Sequence, residues 1–590
     1  MAVINNEYLS NLSIKKTFLL LFKFISGKNK LSLFYLALLN VIAGFSEFIS
    51  LSLFVPFINL LDSSQNKLND SFIKSISEFY SIESLRNLQI IICIIFILGI
   101  ILSGALRTFA AFCNSRVSAS IGTQLGCDLY KSLLSQPYNF FRVNNSSSSI
   151  STCTIFVKET VLSINALLNI LTSFVIVIFI FLTLIKNSPS ITVWFFATIV
   201  FIYSLISIKS NNILRSNSKQ IVSFTNLIIK KIQESFSLIR DIIMYDEKNI
   251  NIDQFYEYTY KLRRKESNNL IISDFPRFSI ESLALCVLVF ISLMSLLSNP
   301  SEGVKLSLIG VIAFGAQKLL PLFQSSYLRF AYIKGKISSI QQVLYYLSLS
   351  NAYLKKNKSL KIKFESLKLK NVKFNYLSQN RPVFNKINLE IKAGDRIGLV
   401  GKTGSGKSTL IDLIIGLVRP SDGEILFNNK SMHSDQPLKE SWMKSIAIVP
   451  QDIFVINDTL ISNIALNVPK ENIDLNRVYD CIKIAELSSF LEGQINGIKT
   501  LITENGKNLS GGQKQRIGIA RALYRKCNFL ILDEATSALD SKTESKIMSK
   551  ISKLNNKICI LIVAHRESTL KNCDRVYEIK NGCLDLYHLS

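Results

Sequence analysis

Residues 401–409 read Gly-Lys-Thr-Gly-Ser-Gly-Lys-Ser-Thr, and this stretch decides the fold of the second half of the chain. It fits the phosphate-binding pattern G-x-x-x-x-G-K-[ST]. An apolar run at 397–400 precedes it and a helical pattern at 410–417 follows, so the stretch has the strand–loop–helix context that this pattern requires. The glycines let successive N–H groups face phosphate oxygens at the positive end of a helix. The residues expected to contact a nucleotide are Gly401, Thr403, Gly404, Ser405, Gly406, Lys407, Ser408 and Thr409.

Two side chains of this loop have specific predicted roles. We expect the Lys407 ammonium to reach the β- and γ-phosphates and the Ser408 hydroxyl to bind Mg²⁺. The alternative is a chance glycine-rich turn. The motifs that follow in the chain make that alternative negligible.

The first half of the chain is dominated by long apolar runs. A helix needs about 20 mostly apolar residues to cross a bilayer. The candidate spans are Leu31–Leu51 (extended to about 61), Leu88–Leu106, Val161–Leu184, Ile191–Ile208, Ser279–Leu297 and Leu306–Phe323. The alternative, a large buried helical core, is disfavoured by six runs of this length in one half of a chain. The pattern predicts a membrane domain at 1–340, a linker at 341–360 and a soluble domain at 361–590.

Charge predicts the topology of the membrane domain. The 590-residue chain carries a formal net charge of +26, which in a soluble protein would suggest nucleic acid as a partner. Here much of the excess lies in segments that flank the apolar runs, so we interpret it as membrane topology and expect no nucleic-acid partner. Both termini and the loops at about 107–160 and 209–273 are predicted to be cytoplasmic. The loop 62–87 is predicted to be outside, either as a short amphipathic helix on the membrane or as a loop packed on the spans.

The sequence predicts no zinc site, no disulfide framework and no cleaved signal peptide. The 10 cysteines are scattered without a C-x-x-C pair or a histidine at ligand spacing, which argues against a zinc site or a disulfide framework. The first ~30 residues lack the pattern of a cleaved signal peptide.

Further motifs after the phosphate loop indicate nucleotide hydrolysis. Asp533 ends an apolar strand and is placed to hold Mg²⁺, while its neighbour Glu534 is the candidate to orient or deprotonate the attacking water. Gln451 follows another strand and supplies an amide for the metal and the water. His565 ends a third strand, where it is expected to contact the γ-phosphate.

Three other features complete this prediction. Ser510 is expected to cap a helix, which leaves the N–H groups of its first turn free to bind phosphate. The residues assigned to this contact are Ser510, Gly511, Gly512 and Gln513. Asp540 is predicted to tie the carboxylate strand to a facing subunit, and Tyr376 either stacks on adenine or packs within its strand.

The second domain resembles the nucleotide-binding domain of ATP-binding-cassette transporters. Leu-Ser-Gly-Gly-Gln at 509–513 is the motif specific to that family. Six spans followed by one such domain resemble a half-transporter of the exporter type. The expected fold class is therefore a membrane all-α domain with six transmembrane helices, followed by an α/β P-loop domain.

The resemblance also implies partners and cofactors. It implies a homodimer that binds ATP and Mg²⁺, in which Ser510 and Gly512 of one subunit close over ATP held by Lys407 of the other. It also implies short coupling helices in the two cytoplasmic loops. The chain has Ile502-Thr503-Glu504 where many exporters have a Val-Gly-Glu-like sequence, which leaves open how this segment contacts the loops.

The membrane half has a closer resemblance. Segments 44–62 and 274–290 are similar to those of bacterial flippases for lipid-linked oligosaccharides, which implies a bacterial inner-membrane location and an anionic glycolipid cargo. Arg107, Arg277 and Lys318 lie at the edges of spans or within them, and we expect them to bind a lipid pyrophosphate. The alternative for each is snorkelling to the inner headgroups, and Glu47 is expected to pair with one of these cations or to face a cavity. Alternative functions are export of another lipid, a drug or a peptide, or a regulatory ATPase that moves nothing.

Overall fold

A computed structural model describes residues 9, 12–61, 85–187, 189–298, 306–349, 363–376, 382–434, 436–553, 558–564 and 566–588. The chain divides into two compact units, residues 1–136 with 140–354, and residues 355–590 with 137–139. The first unit is helical. Its helices are α1 (Ile14–Phe24), α2 (Gly27–Leu61), α3 (Leu85–Leu134), α4 (Tyr138–Val143), α5 (Ser146–Ser151), α6 (Val157–Asn187), α7 (Pro189–Ser237), α8 (Ile239–Met244), α9 (Lys248–Ser298), α10 (Leu306–Gly335) and α11 (Ile337–Ser348).

Several of these helices are much longer than a membrane is thick. Helix α3 has 50 residues, α7 has 49 and α9 has 51. At 1.5 Å per residue each is about 75 Å long, whereas the hydrocarbon core of a bilayer is about 30 Å thick. Each of these helices is therefore about 45 Å longer than the hydrocarbon core is thick. The short helices α4 and α8 lie in the two long predicted cytoplasmic loops, at about 107–160 and 209–273.

The described residues contain four helical segments that are long and apolar enough to cross a bilayer. They are Gly27–Phe54, Gln89–Leu134, Ser146–Leu182 and Phe196–Ser237. They overlap the first four predicted spans. The last two predicted spans lie within α9 and α10. The predicted outer-surface helix falls on residues 62–84, which lie outside the described part of the chain.

Small residues allow close packing between the membrane helices. A Cβ added at Gly44 on α2 would lie 2.7 Å from Val175 Cγ1 on α6, so only glycine lets these two backbones approach this closely. The outer surface is apolar. Phe174, Phe201 and Ile208 are 62%, 64% and 72% exposed, which is the pattern of a surface solvated by lipid.

The predicted linker begins too early. Residues 337–348 form α11, whose buried side chains Ile340, Val343 and Leu344 join a core with Leu125 of α3 and Leu168 of α6. These apolar positions recur at helical spacing, and burying them against α3 and α6 removes them from water. The membrane unit therefore extends at least to residue 348, and the linker prediction of 341–360 was wrong at its start.

The second unit is an α/β domain with two main sheets. Its strands are β1 (Ser366–Phe374), β2 (Phe384–Lys392), β3 (Arg396–Gly401), β4 (Asp422–Phe427), β5 (Lys430–Ser431), β6 (Ile446–Val449), β7 (Asp458–Thr459), β8 (Leu501–Ile502), β9 (Phe529–Asp533), β10 (Cys559–Val563), β11 (Arg575–Lys580) and β12 (Cys583–Leu586). Its helices are α12 (Lys407–Ile415), α13 (Gln436–Ser445), α14 (Leu460–Ile464), α15 (Leu475–Ile484), α16 (Ser488–Glu492), α17 (Gly511–Tyr524), α18 (Ser541–Ser552) and α19 (Glu567–Leu570).

The larger sheet gathers the predicted catalytic residues at one edge. Its strand order is β12-β11-β3-β10-β9-β6, in which β11, β3, β10, β9 and β6 run parallel. Strand β3 leads into the phosphate loop, β9 ends at Asp533, and β6 ends two residues before Gln451. Because the carboxyl ends of parallel strands meet at the same edge of a sheet, these groups converge there. The other sheet, ordered β2-β1-β4-β5, is antiparallel.

Candidate functional site

The phosphate loop joins β3 to α12 through glycines in left-handed conformations. Gly404 has φ +81° and Gly406 has φ +105°. A Cβ at Gly406 would also lie 2.9 Å from the Phe384 ring. Any other residue at this position would therefore have both a strained backbone and a steric clash. Gly401 is restricted too, because its added Cβ would lie 2.7 Å from Ser405 Oγ. The loop is therefore held as a tight curl at the start of α12.

The donors of this curl suit a phosphate group. Lys407 is 9% exposed, and its Nζ donates to the carbonyl oxygens of Gly401 (2.7 Å) and Lys402 (3.3 Å). The Ser405 hydroxyl is buried and has no hydrogen-bond partner in the part of the chain that the structure describes. Ser408 is exposed at the first turn of α12. A buried cation, an unpaired hydroxyl and a helix N-terminus together fit the triphosphate of a nucleotide.

Asp533 fits a magnesium ion carried by the nucleotide. Burial and the neighbouring Glu534 carboxylate raise the pKa of Asp533, and Lys407 opposes this rise. A bound cation would relieve this unfavourable charge. Within the described residues no group of three or more His, Cys, Asp and Glu side chains is placed to hold a metal by itself. Mg²⁺ is usually bound by one or two protein oxygens together with substrate phosphates and water, so a single carboxylate such as Asp533 can take part in holding it.

Glu534 is held in a strained position beside Gln451. Its φ is +49°, a conformation that costs a non-glycine residue roughly 1–3 kcal/mol. Its backbone N–H donates to Val563 O at 3.0 Å, which links the end of β9 to β10. Gln451 Nε2 donates to Glu534 Oε2 at 3.0 Å. Asp533 thus ends β9, Glu534 follows it directly, and the structure brings Gln451 to the second of these carboxylates.

Gln515, on α17, is a positioning residue that the sequence reasoning missed. It is 6% exposed, and its Nε2 donates to Ser537 Oγ at 2.9 Å and to Glu534 O at 3.4 Å. Its Oε1 accepts from the Ala538 N–H at 2.9 Å. One amide therefore fixes both ends of the turn that follows Glu534. The sequence feature that could have identified Gln515 is its position two residues after the signature motif.

The signature motif forms a complete capping box. Ser510 Oγ accepts from the Gln513 N–H at 3.2 Å, and Gln513 Oε1 accepts from the Ser510 N–H at 2.8 Å. Gly511 and Gly512 occupy the first turn of α17, whose N–H groups have no partner within the helix. The cap predicted for Ser510 is present. The Gln513 side chain holds that cap in this structure.

The remaining predicted residues of this domain have structural contacts. Asp540 caps α18 by accepting from the Thr543 N–H at 2.9 Å, and that hydrogen bond lowers the pKa of Asp540. Tyr376 packs its ring edge-on against Phe374 at 4.8 Å between centroids, and its hydroxyl lies 2.9 Å from Thr409 Oγ1. The tyrosine is thus linked to the helix of the phosphate loop. His565 lies outside the described residues.

The membrane unit contains a cavity of about 700 Å³, a size typical of small-molecule sites. Its lining includes Arg107 and Lys318, two of the three predicted cargo ligands. Lys318 Nζ donates to Glu47 Oε1 at 2.8 Å, and Arg107 Nη1 lies 3.8 Å from the same oxygen. Ser103 also donates to the Glu47 carboxylate. The structure therefore joins α2, α3 and α10 through one carboxylate.

Glu47, Arg107 and Lys318 all line the cavity, but the two cations are far more exposed than their counter-ion. The Glu47 side chain is 3% exposed, against 45% for Arg107 and 31% for Lys318. The third predicted ligand is placed apart: Arg277 Nε donates to Glu281 Oε1 at 3.2 Å on α9, and Arg277 does not line this cavity. The pairing expected for Glu47 is thus observed with two cations.

Comparisons with known proteins agree with this architecture. The sequence profile of the ABC transporter family matches residues 384–537. A protein of Pseudoalteromonas translucida named ATP-dependent lipid A-core flippase is 29% identical over 490 residues, covering 81% of this chain and 82% of its own. A protein of the same name from Pasteurella multocida is 28% identical, covering 97% and 94%. A multidrug resistance-like ATP-binding protein of Buchnera aphidicola is 28% identical, covering 84% of each chain.

A solved structure shows the same fold. The structure of a bacterial Atm1-family ABC exporter with ATP bound superposes with a TM-score of 0.78 at 19% identity, covering 93% of each chain. Together with the phosphate loop, the carboxylates at the end of β9 and the capped signature helix, these matches establish the architecture and the class of reaction. Residues 384–537 are an ABC transporter domain, and the chain as a whole has the architecture of an ATP-binding-cassette half-transporter of the exporter type, in which an ATPase domain follows a multi-pass membrane domain.

Proposed function

We propose that the chain works as a homodimer in a bacterial inner membrane, where ATP hydrolysis drives the movement of an anionic lipid-linked glycan. The observation that carries the cargo proposal is a cavity lined by Arg107 and Lys318, whose side chains are partly exposed, and by their shared counter-ion Glu47, whose side chain is almost fully buried. Charged groups at membrane depth are costly and are usually functional. An anionic head group in the cavity would offset that cost.

The nucleotide-binding domain supplies the residues for hydrolysis. Lys407 and the loop N–H groups bind the β- and γ-phosphates, and Ser408 with Asp533 would hold Mg²⁺, which neutralises charge on those phosphates. Glu534 accepts the proton of the attacking water, and Gln451 orients the Glu534 carboxylate. Gln515 keeps the Glu534 backbone in place.

The signature helix supports the proposed dimer. Ser510 and Gly511 are exposed, and the capping box, which uses the Gln513 N–H, leaves the N–H groups of Gly511 and Gly512 without a partner within the helix. We propose that they close over ATP bound to Lys407 of a second copy. Both termini and the nucleotide-binding domain are placed in the cytoplasm, following the distribution of Lys and Arg.

The cargo we favour is a polyprenyl-pyrophosphate-linked oligosaccharide, since arginine forks and ammonium groups suit pyrophosphate oxygens. We propose that Arg277 contacts the cargo outside the cavity. A second candidate is another lipid or a drug, which is favoured by the names of the relatives, lipid A-core flippase and multidrug resistance-like protein. Peptide export and a regulatory ATPase are less well supported, because neither explains the cationic cavity.

Reconstitution in liposomes distinguishes these functions. We expect ATP hydrolysis to rise when a polyprenyl-pyrophosphate-linked glycan is added, and the glycan to change leaflets only with ATP. The neutral polyprenol should have no effect. Stimulation by uncharged drugs alone would reject the anionic cargo, and hydrolysis that responds to no lipid or drug would favour a regulatory ATPase.

A further inference from the structure

Arg329 is a cation of the cavity that the sequence reasoning missed. It lies on α10, 11 residues after Lys318, and both residues line the same cavity. Eleven residues are just over three full helical turns, so the two side chains share one face of α10. Leu322 and Ser325 lie between them on that face and also line the cavity. The rise of a helix separates Arg329 from Lys318 by about 16 Å along the axis.

The two cationic positions differ in their counter-ions. Arg107 and Lys318 share Glu47, so this pair carries a net charge of about +1 when all three are ionised. Arg329 is half-buried, and its side chain has no ion pair or hydrogen bond in the part of the chain that the structure describes. Partial burial of an unpaired guanidinium is unfavourable. An anion entering the cavity would therefore be stabilised at Arg329 without displacing a protein carboxylate.

Asn114 provides an independent sign of a ligand in this part of the cavity. It lies on α3, seven residues after Arg107, which places it about 10 Å further along the helix. It is 1% exposed and lines the cavity, and its Oδ1 has no hydrogen-bond partner among the described residues. Its Nδ2 lies 3.4 Å from Thr172 Oγ1. A buried amide oxygen without a donor is costly, and a sugar hydroxyl would supply one.

We propose that Arg329 forms a second anion subsite, so that the cavity recognises a cargo head with two separate anionic groups. The first anionic group binds at Arg107 and Lys318, and the second, a phosphate or a carboxylate about 16 Å away along α10, binds at Arg329. Asn114 accepts a hydroxyl hydrogen bond from the sugar between them. This inference rests on the proposed function, because it names the charge pattern of the same cargo.

The test compares three lipids that differ in charge. They are a disaccharide lipid phosphorylated on both sugars, the same lipid with one phosphate removed, and polyprenyl pyrophosphate, in which the charges lie together. Binding is measured with the full-length protein in nanodiscs of zwitterionic lipid at fixed salt. We expect the doubly phosphorylated lipid to bind about tenfold more tightly than the singly phosphorylated one, the scale of one charge-assisted contact.

Substitutions at Arg329 test whether this residue causes the preference for the doubly phosphorylated lipid. Arg329→Gln should abolish the difference between the two disaccharide lipids and leave binding of polyprenyl pyrophosphate unchanged, whereas Arg329→Lys should keep part of the difference. Arg116→Gln is the matched control, since Arg116 is an exposed α3 arginine over the Phe112 ring and does not line the cavity. Monodisperse elution of each variant checks its folding, and Arg329→Lys still tests the proposal if Arg329→Gln does not fold.

The outcomes separate this inference from the proposed function. If Arg107→Gln and Lys318→Gln weaken binding of all three lipids but the preference for two phosphates survives Arg329→Gln, the second subsite is wrong and the anionic cargo stands. Equal binding of the two disaccharide lipids to the unmodified protein also overturns the subsite. If none of the three lipids binds, the anionic cargo itself is rejected.

Discussion

Replacing Gln515 with leucine tests how the fold holds the catalytic carboxylate. The change keeps most of the side-chain volume and removes the hydrogen bonds to Ser537 Oγ and the Ala538 N–H, both 2.9 Å long, and the longer one to Glu534 O. At a net ~0.5–1.5 kcal/mol for each of the two short bonds, the folded domain should lose about 1–3 kcal/mol. The turn after Glu534 would then lose its anchor to α17.

We expect this loss to appear in kcat. Glu534 keeps a strained φ of +49° only because its surroundings hold it there, and a carboxylate displaced by about 1 Å can slow catalysis roughly a hundredfold. The phosphate loop has no direct contact with the Gln515 side chain among the described hydrogen bonds, so KM for ATP should stay close to its original value.

The assay is steady-state ATP hydrolysis by the full-length protein in nanodiscs, with binding of a fluorescent ATP analogue measured in parallel. Gln494→Leu is the matched control, because Gln494 is a half-buried glutamine whose side chain makes no hydrogen bond in the described part of the chain. A Gln515→Leu protein that is less stable yet retains its original kcat would refute the positioning role. A large rise in KM with unchanged kcat would place the effect on nucleotide binding instead.

Three further predictions concern the nucleotide site. Glu534→Gln should still bind ATP but hydrolyse it about a hundredfold more slowly, the scale expected for a general base, while Lys407→Ala should weaken binding itself; equilibrium binding and single-turnover hydrolysis separate the two. Mixed dimers of Lys407→Ala and Ser510→Arg subunits should keep one intact composite site and hydrolyse ATP, whereas both homodimers should be inactive; a monomer active at full rate in size-exclusion fractions would contradict this. Burial and Glu534 raise the pKa of Asp533 above its value in the unfolded chain, so the fold loses stability as pH rises from the unfolded to the folded pKa and Asp533 becomes charged. Thermal melts without nucleotide should therefore show that Asp533→Asn is more stable than the unmodified protein at neutral pH. Mg²⁺ with ATP should not stabilise this variant further.

The parts of the fold that were predictable depend on local sequence. The phosphate loop and the Ser510 cap are set by residues within a few positions of one another, so their geometry follows from glycine placement and capping chemistry. The long helices were visible because apolar runs of about 20 residues are rare outside membranes. The motifs at strand ends were enough to assign Gln451 and Glu534 to one nucleotide site, but their hydrogen bond is seen only in the structure.

The remaining features depend on contacts between distant residues. Glu47 and Lys318 are 271 positions apart, so the sequence suggested a partner for the carboxylate without giving its number. Arg329 had no motif around it and became a candidate only when α10 placed it on the face of Lys318. The linker was misplaced because the apolar face of Ile337–Ser348 packs against α3 and α6, and contacts with residues so distant in sequence are not visible in the segment itself.

The most direct test of the central claim is the ATP-dependent movement of a polyprenyl-pyrophosphate-linked glycan between leaflets of proteoliposomes that contain only this protein. We predict movement by the unmodified protein and by Arg116→Gln, none by Glu534→Gln, and a loss in the Arg107→Ala/Lys318→Ala double variant that exceeds its loss of ATP hydrolysis. Movement by the double variant at the original rate, or movement that needs no ATP, would contradict the proposal of an ATP-driven transporter whose cavity binds an anionic head group.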